Sequence, residues 1–379
     1  MSDDRWGMKA VGITPRKAHA ARLLNLRIPS LDEIPGGRGV LVQVLQVGMD
    51  GTDKALYLGE CGTAPEGAAF LIPGHECLGK VVDVGPNGTE FEPGDYVVVT
   101  VRRPGGSIYD QIGAPDLTTD DACHERGINL AHGFLVEYYV EDPRYLVGVP
   151  PALKEVAVLA EPMSIVQKGV LQAYELQRRL KVWQPRRAAV TGTGSIGLLA
   201  TLALRLRGLE VTAFDRTPRP NLNASLAEML GARYVSTREM HLADAAAKRG
   251  PFDLIFEATG FSHTVFEVAQ TLAANGVLIL SSLTPGTRRT EVESDRFNQA
   301  FVLGNKIMFG TVSARRDHFE AALVDFAQAQ IIWPGWLDRL LTHPVRGLED
   351  YGALFGSLFV ASDAIKVYLI VHDEGHYDL

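Results

Sequence analysis

The chain has 379 residues, enough for two domains with cores of their own. Its hydrophobic fraction of 46% and charged fraction of 22% are those of an ordinary soluble protein. A net charge of −8 argues against nucleic acid or an anionic membrane surface as partner, since both reward basic faces. The opening MSDDRW is acidic and has no apolar core, so no secretory signal is expected. Cys61, Cys77 and Cys123 form no CxxC, which fits reduced thiols in a cytoplasm.

From residue 1 to about 150 the chain is rich in β-branched residues and in Gly and Pro. Gly39–Val47, Cys77–Val84, Asp95–Val101 and Phe134–Val140 alternate or run apolar at strand length, which predicts an irregular module of short strands. Lys154–Leu180 shifts to helical spacing through Val156, Leu159, Ile165, Val166 and Val170. Strands are then predicted at 188–191, 210–214, 233–235, 253–257, 276–281 and 306–312. Helices fall between them, Asn223–Leu230 and His263–Ala273 being the clearest, and such alternation predicts a doubly wound parallel sheet. Phe319–Gln328 reads as helix and Ala364–Val371 as a strand, with the tail expected to return to the first module.

Gly192-Thr193-Gly194-Ser195-Ile196-Gly197 is a GxGxxG with a strand before it and an apolar helical run after it. Gly192 suits the tight turn, Gly194 the approach of a pyrophosphate, and Gly197 close packing of helix on strand. Ser195 and Ile196 open the helix, whose free N–H groups face the anion. Asp215 ends the next strand, where ribose hydroxyls are held. A carboxylate there favours NAD over NADP, because a 2′-phosphate would meet like charge. Arg216 and Arg219 follow at once, and arginine is the residue type that holds a 2′-phosphate.

Pro73-Gly74-His75-Glu76 stands just before a predicted strand, with Val47-Gly48-Met49-Asp50-Gly51-Thr52-Asp53 upstream and Leu159-Ala160-Glu161-Pro162-Met163 downstream. Arg102-Arg103-Pro104, Glu125-Arg126-Gly127-Ile128 and the HGF…EY stretch at 132–138 lie between the last two. Through these segments the chain resembles the zinc-dependent medium-chain dehydrogenases, and among them the microbial glucose (aldose) dehydrogenases, over nearly its whole length. The resemblance implies an α/β protein of two parts. One is a GroES-like irregular β catalytic domain over 1–164 plus 314–379. The other is a Rossmann doubly wound parallel-sheet dinucleotide-binding domain over 165–313.

The resemblance also implies one catalytic zinc, with Asp50, His75, Glu76 and Glu161 at the ligand positions. Carboxylate oxygen and imidazole nitrogen both suit zinc. Thr52 matches the hydroxyl that passes on the substrate proton, and Glu76 a carboxylate that displaces water or transiently ligates the metal. Glu125 and Glu161 match partners of sugar hydroxyls. Thr259, Gly260, Ser282, Leu283, Ser313 and Arg216 fall at cofactor-side positions. The implied reaction is oxidation of an aldose at C1 to its lactone, with hydride transfer to NAD(P), in a homo-oligomer (dimer or tetramer). Dehydrogenation of another polyol, cyclitol or amino alcohol is the alternative, and a non-catalytic dinucleotide-binding redox sensor is an alternative of another class.

Relatives often carry four cysteines after the RRP motif, whereas this chain has only Cys123 there. No structural zinc is therefore expected. Ser313 stands where a nicotinamide-side Asn is common, and Val101 where some relatives have a sugar-binding Asn. Asp53 and Lys54 read as ordinary turn residues.

Overall fold

The computed structural model describes residues 7–87, 89–118, 123–284, 286–360 and 363–374. The chain divides into two units, the first formed by residues up to 161 with 313–323 and 340 onward, the second by 162–312 and 324–339.

In the first unit β1 (Gly7–Ile13) pairs with β2 (Ala21–Arg27). The main sheet is built from β3 (Val40–Met49), β4 (Glu76–Val84), β5 (Tyr96–Val99), β9 (Tyr138–Glu141), β10 (Leu146–Val149), β17 (His343–Arg346) and β18 (Val367–Ile370). Its order is β10-β5-β4-β3-β18-β17, with β9 also on β3. A small sheet joins β6 (Arg102–Arg103), β7 (His124–Arg126) and β8 (Leu130–Ala131). Short helices α1 (Gly51–Tyr57), α2 (Ile108–Gln111) and α10 (Tyr351–Val360) complete the unit. Val40, Val42, Val44 and Val47 of β3 are fully buried in a core that also takes Phe134, Leu135, Leu354 and Leu369. The tail strand β18 pairs antiparallel with β3, opposite Met49 and Gly48.

The run Phe134–Val140 is not one strand, since β9 begins only at Tyr138. The preceding amides have another task. Gly133, Phe134 and Leu135 donate to the carbonyls of Ile72, Gly74 and Pro73 at 2.7, 2.9 and 3.0 Å. They brace the turn that presents His75.

In the second unit strands and helices alternate as β11 (Arg187–Thr191), α4 (Ser195–Leu206), β12 (Glu210–Asp215), α5 (Leu222–Met229), β13 (Arg233–Ser236), α6 (Leu242–Arg249), β14 (Phe252–Glu257), α7 (Val265–Gln270), β15 (Leu272–Leu280), α8 (Ser294–Gly304) and β16 (Ile307–Gly310). The sheet order β13-β12-β11-β14-β15-β16, parallel throughout, is the doubly wound 3-2-1-4-5-6 arrangement. α3 (Ala160–Gln177) and α9 (Arg316–Ile332) each contribute residues to both units. The helix expected over His263–Ala273 stops at Gln270, and β15 starts early, at Leu272. Within β15 a left-handed Asn275 (φ 59°) and a register shift opposite Phe252–Leu254 interrupt the regular ladder.

Residues 324–339 pack with the second unit, although 314–379 reads in sequence as one return to the first. Asp325 takes hydrogen bonds from Gln167 at 2.5 Å and Arg207 at 3.1 Å, and the buried Trp336 indole donates to Leu226 O at 2.9 Å. Among the described residues no helix is long and apolar enough to cross a membrane.

A buried ion cluster ties β6, β7 and β9 together. Glu141 Oε2 lies 2.5 Å from Arg103 and 3.6 Å from Arg126, whose guanidinium sits over the Phe134 ring at 4.8 Å. Burial pushes the Glu141 carboxyl up, but the two guanidinium groups outweigh it and hold it below its ordinary value. Its stabilisation is therefore complete above about pH 4.5 and lost as pH falls through the lower folded-state value. Glu141→Gln should cost about 2 kcal/mol at neutral pH and flatten the fall of Tm between pH 4.5 and 3. A variant with unchanged acid sensitivity would show that Glu141 is not a source of that pH dependence.

Candidate metal centre and dinucleotide site

The metal-site candidates meet where β3 ends and β4 begins. Asp50 follows β3 and caps α1: its carboxylate accepts from the amides of Thr52 at 2.7 Å and Asp53 at 3.3 Å. Asp53 closes the capping box by accepting the Asp50 amide at 3.1 Å. That reciprocal cap is why α1 starts here. The Thr52 hydroxyl donates to Asp50 Oδ2 at 3.3 Å.

His75 is buried between these two carboxylates. Its Nε2 is 3.8 Å from Asp50 Oδ1, and its Nδ1 is 3.7 Å from Asp53 Oδ2. Nδ1 has no hydrogen-bond partner among the described residues. Asp53 is fully buried and anchored from its other oxygen by the Gly74 amide at 3.1 Å. It thus positions the ring from behind while Nε2 faces Asp50. Asp50, His75 and Glu76 each place a ligating atom within 4.8 Å of the others, and Asp50 is the most open of the three.

Glu76, on β4, sits opposite Gly48 of β3. Lys366, one residue before β18, reaches both Glu76 oxygens at 2.7 Å, and both side chains are 1% exposed. The pair passes across β3 where Gly48 has no side chain, since a Cβ there would lie 2.0 Å from Glu76 Oε2. Glu161, buried in the first turn of α3, lies outside the group of three mutually close donors. It still couples to His75, Glu76, Asp50 and Lys366 through their charges.

Four carboxyl groups and an imidazole therefore share one fixed cation. Burial pushes Glu161 up to about 8 and Asp53 up to about 7. His75 is desolvated, yet the carboxylates around it, Asp50 first, raise it to about 9. Asp50 is held low against its desolvation by His75, Lys366 and its two backbone donors. This surplus of carboxylates fits a divalent cation, and the O/N donor set suits zinc.

In the second unit the predicted cofactor residues line the C-terminal ends of the parallel strands. Gly192 has φ 88°, and a Cβ on Gly197 would lie 1.8 Å from Gly192 O, so neither tolerates a side chain. Gly194 faces open space and is the N-cap of α4, which begins with Ser195 and Ile196. Asp215 Oδ2 accepts from the Thr193 amide and hydroxyl, both at 2.8 Å. Its Oδ1 accepts the Arg216 amide at 2.6 Å. The Arg216 side chain is exposed, whereas Arg219 turns away to Tyr234 O and to Glu228 at 3.1 Å. Thr259 and Gly260 follow β14, and Ser282 and Leu283 follow β15, at that same edge. Ser313 belongs to the first unit; it is buried, with φ 58° and a hydroxyl lacking a hydrogen-bond partner among the described residues.

Glu125 is not bonded to the metal-site group. Its Oε1 is taken by Arg102 at 3.2 and 2.5 Å, which leaves Oε2. In the lobe after Pro104 a carboxylate organises the chain: Asp110 Oδ2 accepts the amides of Gly105, Gly106 and Ser107 at 2.9, 2.7 and 2.8 Å.

Sequence reasoning passed over Asp53 and Lys366. The available signals were an Asp three residues after an N-cap Asp and a lone cation inside the apolar run AIKVYLIV.

Residues 36–151 match the alcohol dehydrogenase GroES-like domain family, and residues 154–369 match the family described as glucose dehydrogenase C-terminus. A glucose 1-dehydrogenase of Methanocella arvoryzae is 44% identical over 341 residues, covering 89% of this chain and 94% of that one. A glucose 1-dehydrogenase of Thermoproteus tenax is 38% identical over 366 residues, covering 96% and 99%. The structure of Haloferax mediterranei glucose dehydrogenase in complex with NADP, Zn and gluconolactone superposes with a TM-score of 0.86 at 34% identity, covering 97% of this chain and 100% of that one. Identity of this extent over almost the full length of both partners establishes kinship, and the chain belongs to the glucose dehydrogenase family.

Proposed function

We propose that the chain is a zinc-dependent dehydrogenase that oxidises a glucose-like aldose at C1 to its lactone with NAD(P). The observation that carries this reading is the convergence of Asp50, His75 and Glu76 within 4.8 Å, in a relative of an enzyme whose structure holds NADP, Zn and gluconolactone. The catalytic part is assigned to the first unit, residues up to 161 with 313–323 and 340 onward, and the dinucleotide part to the second.

When bound, zinc supplies Lewis acidity toward the C1 hydroxyl, and the nicotinamide supplies the hydride acceptor. Asp50 and His75 hold the metal, with Glu76 and Glu161 as further ligand candidates. Asp53 fixes the His75 ring. Thr52 Oγ1 accepts the C1 hydroxyl proton and releases its own proton to solvent. Lys366 holds both Glu76 oxygens at the edge of the centre. Glu161 and Glu125 Oε2 receive sugar hydroxyls. A site built to bond hydroxyls strongly rejects analogues lacking them. A panel of aldoses and polyols, with lactone detected as product, tests this. Turnover of polyols alone would replace the aldose reading.

NAD is the favoured dinucleotide, since the Asp215 carboxylate would meet a 2′-phosphate with like charge, and Arg219 is occupied elsewhere. The parent should show the higher kcat/KM with NAD, and Asp215→Ala should lose that preference. A parent preferring NADP by about tenfold or more would make Arg216 the selector instead. A homo-oligomer, dimer or tetramer, and a cytoplasmic setting complete the proposal. The outer side of β16, unpaired among the described residues, and the exposed Val302 and Leu303 offer an assembly surface, which sedimentation would test.

A further inference from the structure

We infer that the second unit carries a binding site for a phosphate ester of a small polyhydroxy compound, at the end of its sheet opposite the glycine-rich turn. A cavity of about 300 Å³ lies there, lined by Arg187, Arg205, Arg233, Arg249, Glu210 and Phe252 among others. Arg187, Glu210, Arg233 and Phe252 are the first residues of β11, β12, β13 and β14. Arg205 stands in the last turn of α4, and Arg249 ends α6. In a parallel sheet these strand starts face away from the edge that takes the dinucleotide.

The four arginines fall into two kinds. Arg205 donates to Leu230 O at 2.9 Å and Leu209 O at 2.6 Å, and Arg187 donates to Pro251 O at 2.5 Å. These bonds fix two walls and engage carbonyls that would otherwise repel an anion. Arg187 is seated against Gly250, where a Cβ would lie 2.5 Å from its guanidinium. Arg233 and Arg249 are exposed, and their side chains make no hydrogen bond or ion pair with a described residue. In a chain of net charge −8, four arginines and one acidic residue, Glu210, are among the residues that line this cavity. Planar forks of this kind suit phosphate oxygens, which they bind in bidentate fashion. Glu210 supplies an acceptor in the same cavity, and it selects a hydroxyl-bearing ester over a bare anion. The volume is that of a small-molecule site.

The test uses the zinc-loaded enzyme saturated with its dinucleotide, so that the pyrophosphate site is filled. Fructose 6-phosphate, a ketose ester without an aldose C1, is titrated by calorimetry beside inorganic phosphate. Binding at one site per chain with Kd below about 1 mM is expected, and a Tm rise of about 2 °C or more at 10 mM. R233S/R249S should weaken it at least about tenfold while leaving kcat/KM for the dehydrogenase reaction unchanged. Glu210→Gln should weaken the sugar ester but not inorganic phosphate. Absence of binding, binding indifferent to R233S/R249S, or an equal Tm rise from sodium chloride at matched ionic strength would overturn the site. Inorganic phosphate binding as tightly as the ester would overturn the polyhydroxy assignment.

Discussion

His75→Ala should lose most of its bound zinc and at least about 10²-fold in kcat, with the fold intact. Among the described residues His75 is the only nitrogen ligand in the group with Asp50 and Glu76, and its ring is placed by a turn that Gly133, Phe134 and Leu135 brace. Without the imidazole, the remaining donors are carboxylates, one of them already held by Lys366 at two oxygens. The core of the first unit is made of β3, β4 and the residues packed on them, so it does not depend on the ring. Metal content by mass spectrometry, with circular dichroism as the folding control, reads both halves of the expectation. An unchanged rate in a folded variant would end the assignment of His75 to the metal.

Lys366→Met should be the most destabilising single change near the site. Measured in chelated protein, it should cost about 3–5 kcal/mol, because it leaves the Glu76 carboxylate buried without a counter-charge. Zinc should restore part of the loss, since a cation then compensates the same carboxylate. Lys366→Met combined with Glu76→Gln should be less destabilised than Lys366→Met alone, because removing both charges leaves nothing uncompensated. Denaturant unfolding of the two variants decides the matter. If the double variant is the less stable, the pair is not what supports the site.

The second unit was legible because a parallel sheet is buried on both faces, so its strands read as apolar runs, and the glycine spacing marks the first turn. Its strand expected over 276–281 starts early, at Leu272, and carries a left-handed Asn275 that periodicity does not reveal. The first unit was harder. Phe134–Val136 has the composition of a strand, yet the amides of Phe134 and Leu135 go to the turn before His75. At the site, residues quoted from local motifs, Asp50, His75 and Glu76, lie together. The residues that support them come from sequence-distant or structurally ambiguous places. Lys366 reaches Glu76 across 290 residues of chain. Asp53 reads as a turn residue because a cap and a histidine contact look alike until the turn is folded. Glu125 is read as a sugar partner from resemblance alone, and its pairing with Arg102 has no local signature.

Reconstitution of the metal-free protein with zinc tests the proposed chemistry most directly. Glucose oxidation with dinucleotide should be absent after chelation, rise in proportion to added zinc and level off at one zinc per chain, with gluconolactone as product. Glucose oxidation that survives complete chelation, or that levels off only at two zincs per chain, would contradict it.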